Sequence, residues 1–139
     1  MTELPSVLLL RTLLAVLAAY HLGIGVVSIV SLRLTARLTA RLYGLTVVDD
    51  AGLRYAVRML GLYAVALGTL LVLAARSPAT HRDIIAVVAL LQLARATCRI
   101  CFGRELADAF RLRPKRNAFN AALLLSEAVV LFACFPAAA

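Results

Sequence analysis

The sequence predicts an all-α protein, an integral membrane four-helix bundle of up-down topology built as one domain of 139 residues. Three observations lead there. Four apolar runs approach or exceed the roughly 18 residues that mark a spanning helix. Charged residues gather in the stretches between those runs. Small residues recur within the runs at helical spacing, where helices in lipid gain most from close approach. Hydrophobic residues make up 63% of the chain, against about 45–50% apolar in soluble domains. That composition weighs against a soluble helical bundle.

The expected helices cover about 7–31, 54–75, 84–103 and 118–135. The first run is interrupted early by Arg11, and a cleaved signal peptide centred on Leu13–Ala19 is the competing reading. Glu3 and the scarcity of positive charge before the run, with hydrophobicity continuing well beyond any cleavage point, favour a retained helix. His21, Gly25 and Ser28 share one of its faces. Next, Leu-Thr-Ala-Arg occurs twice in succession, placing Arg33, Arg37 and Arg41 on one stripe beside Leu34, Leu38 and Leu42. This is either an extension of the first helix or a short helix in the membrane interface with arginines toward phosphates. Gly44 is its expected stop, and Val47–Gly52, containing Asp49-Asp50, is a short polar connection.

In the second spanning helix, Arg54, Arg58, Gly61, Val65, Gly68 and Val72 lie along one stripe. Gly61 and Gly68 let another helix come close, as Gly25 does on the first helix. Pro78 breaks the chain before the third helix, where Gln92, Arg95 and Arg99 form a polar stripe at i, i+3 and i+7. Residues 104–117 read as a strongly basic loop. On the fourth helix Asn120, Glu127 and Cys134 recur every seven residues.

Net charge is +8, carried by fourteen Arg and one Lys. No nucleic-acid recognition motif accompanies it, so nucleic acid is not an expected partner; membrane topology and anionic lipid explain the charge better. Stretches 32–53 and 104–117, with Arg54 just past the first, hold nine positive residues against three (Arg11, Arg76 and Arg82) on the other side. The positive-inside rule then places both stretches in the cytoplasm and both termini outside, in a bacterial inner membrane.

Depth turns the polar residues into a constellation. Arg58 and Arg99 sit about one turn from the cytoplasmic ends of their helices, Arg95 about two, and His21, Gln92 and Glu127 about three, near mid-bilayer. Ionisable groups at that depth must pair or be hydrated. Arg95 with Glu127 is the first pair expected. Three arginines to one carboxylate leave three roles open: an internal ion pair setting helix register, an anionic ligand held by Arg58, Gln92, Arg95 and Arg99, or catalysis with Glu127 and His21 as acid and base. No metal site or cofactor is expected. His81 belongs to the opposite surface from His21, so a bis-histidine haem is unsupported. Cys98-Arg-Ile-Cys101 lies within a helix with no second Cys/His pair and reads as small packing residues, its redox role left open. No phosphate loop, nucleophile elbow or dinucleotide fingerprint occurs.

Leu38-Thr-Ala-Arg-Leu-Tyr-Gly-Leu45, Arg58-Met-Leu-Gly-Leu-Tyr-Ala-Val-Ala-Leu-Gly68, the arginine-bearing third helix and Ser126-Glu127 together resemble the small bacterial DoxX-like four-helix membrane proteins. The resemblance implies an inner-membrane bundle in a group mostly without assigned functions. A fainter similarity, to the ergosterol-biosynthesis membrane scaffold proteins, implies a non-enzymatic tether; the aromatic-rich second helix of that group is missing. The resulting expectation is a non-catalytic membrane protein whose Arg/Glu/His centre binds an anionic lipid-like ligand or a partner membrane protein. The alternative is a membrane-embedded enzyme acting on an isoprenoid or quinone. Membrane lipids, and either self-association or a partner membrane protein, are the expected contacts.

Overall fold

The computed structural model describes residues 5–45 and 51–136. Glu3 and the polar connection through Asp49-Asp50 lie outside the described residues. The chain forms α1 (Pro5–Val30), α2 (Leu32–Tyr43), α3 (Ala51–Arg76), α4 (Arg82–Cys101), α5 (Gly103–Phe110) and α6 (Pro114–Ala133), with no strand among the described residues. Four of these, α1, α3, α4 and α6, are long and apolar enough to cross a membrane. At ~1.5 Å per residue the shorter two reach about 30 Å, the thickness of the hydrocarbon layer.

Two boundaries differ from expectation for identifiable reasons. α6 begins at Pro114, four residues before the expected 118, because proline at the first helical turn has the right φ and needs no N–H donor there. The stretch 104–117 is not wholly loop, since α5 occupies its first half. Phe102, Leu106 and Phe110 recur every four residues there and give one apolar stripe. Leu112, only 3% exposed, anchors the turn that follows.

α2 is a helix in its own right rather than a continuation of α1. Ser31 is extended (φ −148°, ψ 106°), and its side chain accepts from the Leu34 N–H at 3.3 Å, capping the new helix. Gly44 ends it in a left-handed turn (φ 73°), donating its N–H to the Ala40 carbonyl at 3.0 Å. Arg33, Arg37 and Arg41 are exposed along α2, while Thr35 on another face is buried.

The spanning helices associate as two antiparallel pairs, α1 with α3 and α4 with α6. In the first pair Gly25 meets Gly61 and Val65, and Leu22 lies over Gly68. A Cβ placed on Gly25 would come within 2.8 Å of the Gly61 carbonyl oxygen, and one on Gly68 within 2.7 Å of Leu22 Cγ, so the backbones touch only because side chains are missing. The two pairs meet in a core of Leu10, Leu14, Leu17, Leu71, Ile85, Val88 and Leu131, flanked by alanines 18, 74 and 89. That core sits at the Ser77–His81 turn end of the molecule, where Arg82 stacks over the Phe135 ring at 5.1 Å.

Candidate functional site

Toward the other end the two pairs leave room between them. A partly open cavity of about 250 Å³ lies among α1, α4 and α6, roofed by the last residues of α2. Val16, Leu17, Leu42, Phe119, Leu123 and Leu124 supply its apolar wall, and Tyr20, His21, Tyr43, Gln92, Arg95, Asn120 and Glu127 its polar groups.

Gln92 is the keystone of the polar part. It is 2% exposed, yet both ends of its carboxamide are used: Oε1 accepts from Arg95 Nη1 at 3.0 Å, and Nε2 donates to a Glu127 carboxylate oxygen. A guanidinium can only donate and a carboxylate can only accept, so these two neighbours dictate which way the amide points. The i, i+3 spacing on α4 sets Arg95 beside Gln92, and the antiparallel packing of α6 brings Glu127 alongside. Arg95 and Glu127, the pair expected from sequence, thus share the cavity, and Gln92 is hydrogen-bonded to both.

His21 is buried, with Nδ1 2.8 Å from the Leu17 carbonyl of the preceding turn. A carbonyl only accepts, so Nδ1 carries the proton and the lone pair of the neutral ring is on Nε2. Tyr20 stands edge-on to that ring at 5.0 Å, and its hydroxyl is hydrogen-bonded to the Tyr43 hydroxyl.

Tyr43 connects the roof to both sides. Asn120 Nδ2 donates to its carbonyl at 3.3 Å, and Arg116 Nη2 donates to the Arg41 carbonyl at 3.0 Å and also to that of Leu42. A cation at the carbonyl end of α2 also meets the negative end of its helix dipole. Arg99 lies 5.7 Å over the Tyr43 ring. Its Nη1 donates to Asn117 Oδ1 at 3.1 Å, while Asn117 Nδ2 donates to the Arg99 carbonyl at 2.8 Å, a reciprocal clasp of α4 to α6.

Of the residues singled out from sequence, His21, Gln92, Arg95 and Glu127 come together around the cavity, and Arg99 stands behind its roof. Arg58 does not join them. It is exposed on α3, and no α3 residue lines this cavity, because α3 packs its glycine face on α1. Gly25, Gly61 and Gly68 are all in that α1–α3 contact. Cys98 and Cys101 are exposed free thiols away from the cavity. Among the described residues no group of three or more His, Cys, Asp or Glu side chains could hold a metal ion.

Tyr20, Tyr43 and Asn120 are site residues that the sequence did not single out as such. Asn120 shares the seven-residue line of Glu127, and that spacing was the available signal. Tyr20 gave only its adjacency to His21. Tyr43 could not be placed without knowing that α2 folds back over the bundle. No family model, curated protein or solved structure matches the chain, so the chemistry of the site rests on its own geometry.

Proposed function

We propose that this chain is a non-catalytic four-helix membrane bundle of up-down topology, in a bacterial inner membrane, whose cavity binds an anionic lipid-like ligand. The observation that carries the reading is the make-up of the cavity: aliphatic and aromatic walls on one side, the Arg95–Gln92–Glu127 relay on the other, set among helices long and apolar enough to span a membrane. Two guanidiniums, Arg95 at the wall and Arg99 behind the roof, stand against the single carboxylate of Glu127, which leaves positive charge for an acidic head. The arginines of α2 and the basic turn before α6 favour a cytoplasmic position for this end, with both termini outside. A DoxX-like membrane protein is the family setting we propose.

Native mass spectrometry of the protein extracted in mild detergent tests this. One acidic amphiphile per chain is expected on the unaltered protein and is expected to be lost from Arg95→Gln. An identical adduct pattern in both would sink the proposal.

One observation favours a second reading, acid–base catalysis on such a ligand. The His21 ring, tied down through Nδ1, offers Nε2 as a base in the same cavity as a carboxyl group. A Glu127→Gln protein that still binds ligand but no longer converts it would establish the enzyme; equal recovery of unchanged ligand from both proteins argues for binding alone.

A further inference from the structure

The most deeply buried side chains of the cavity include polar ones, and the most exposed ones that its long helices contribute are apolar. His21, Gln92 and Asn120 are 7%, 2% and 3% exposed, whereas Val16, Phe119 and Leu123 at its rim are 59%, 60% and 46% exposed. An opening onto water would be rimmed with polar groups. All three belong to α1 and α6, two of the helices long and apolar enough to cross a membrane; Val16 and Leu123 lie well inside those helices, where an exposed apolar side chain suits lipid tails, and Phe119 lies near the start of α6. The route from the aqueous end is obstructed by the α2 roof, held by Tyr20, Asn120 and Arg116.

Size restricts what can enter. At about 250 Å³ the cavity is below the ~300–1,000 Å³ of sites that enclose drug-sized ligands, and it holds the volume of about eight waters at ~30 Å³ each. That suits a head and the first carbons of one chain better than the crowded start of two paired chains. Arg95 lies one turn nearer the roof than Gln92 and Glu127, so an acidic head belongs on the roof side, beside the Tyr20 and Tyr43 hydroxyls. From there an apolar way out passes Leu123 and Val16, the exposed lining residues of α6 and α1.

We infer that the cavity is loaded sideways from the bilayer, through a portal between α1 and α6, and takes a single-chain amphiphile with an acidic head. This rests on the ligand-binding reading above and adds the entry route and the chain number.

The test uses the purified full chain in detergent with four probes: oleate, oleoyl lysophosphatidylglycerol, dioleoyl phosphatidylglycerol and uncharged oleyl alcohol. Saturable one-to-one binding is expected for one or both single-chain acids, and which of the two binds tells a carboxylate head from a phosphate head. The diacyl lipid and the alcohol are expected to bind about tenfold more weakly or worse, a difference of ~1.4 kcal/mol. Leu123→Trp narrows the portal and should weaken the single-chain acid to a similar degree, while Leu60→Trp, at an exposed position of α3, leaves it unchanged. Should Leu123→Trp disturb folding, Leu123→Ala widens the same portal, and faster ligand dissociation is the expected result. Diacyl binding as tight as single-chain binding overturns the inference, as does equal binding of the alcohol or indifference to both Leu123 substitutions. Diacyl binding that Arg95→Gln abolishes would overturn this inference alone and leave the ligand-binding reading standing. No binding of any probe overturns both.

Discussion

The α1–α3 and α4–α6 pairs join apolar helices by opposite means. In the first, glycines remove side chains from the contact until backbone meets backbone, and the attraction there is close van der Waals contact. In the second, the helices are linked by hydrogen bonds: Gln92 to Glu127, and the reciprocal Arg99–Asn117 clasp. Hydrocarbon cannot drive two helices together, so either device must supply its own attraction. Only the second places Gln92, Arg95 and Glu127 on the cavity among α1, α4 and α6. The glycine pair holds the fold together, and the polar pair, with the facing side of α1, holds the chemistry.

The largest effect that would break this contrast is on the glycine side. Gly61→Leu forces side-chain atoms into space where even a Cβ would stand 2.9 Å from the Gly25 carbonyl oxygen. A loss of about 1–3 kcal/mol or more is expected, read as thermal unfolding in detergent. Stability equal to the unaltered protein would mean that the two backbones do not need to touch.

A smaller effect is expected across the polar pair. Gln92→Leu is nearly the same size but leaves the Arg95 guanidinium and the Glu127 carboxylate without their shared partner. Hydrogen bonds between helices in membranes are worth about 0.6 kcal/mol each on average, so losing the two made by Gln92 should cost about 1 kcal/mol, together with loss of ligand. If ligand stays while stability falls, the relay sets helix register only, and the cavity needs another polar anchor.

The smallest effect sharpens the comparison rather than breaking it. Tyr20→Phe and Tyr43→Phe each remove one hydroxyl from the pair that ties α1 to the α2 roof. Each alone should cost about 0.6 kcal/mol. The double substitution should cost little more than either one, since the partner hydroxyl is then already unpaired. Additive losses in a double-mutant cycle would show that the two hydroxyls act separately.

Much of the fold is legible in the chain because a bilayer imposes strong rules. Every backbone polar group in hydrocarbon must be satisfied within its own helix, so long apolar runs become helices whatever surrounds them. The glycines at 25, 61 and 68 were readable for a similar reason, since few other residues permit such close approach. His21, Gln92, Arg95 and Glu127 stood out because polar groups inside such runs are costly and must find company. Arg58 shows where that logic stops. Its position on the glycine stripe suggested an inner face, but a stripe calculated for a straight helix does not say how far the contact with α1 extends. In the structure the contact takes in Gly61 and Gly68 and leaves Arg58 exposed.

By itself the sequence determined the number of long apolar helices, the glycine positions and where each polar group falls along its helix, because these follow from periodicity and the ~1.5 Å rise of a helix. Which polar groups meet was decided by the tertiary structure. Pairing α4 with α6 put Gln92 between Arg95 and Glu127, and folding α2 back from Ser31 set Tyr43 over Tyr20 as the roof of a cavity. Neither follows from periodicity, because a helix repeats its faces locally, while the identity of the facing helix is a property of the packed whole.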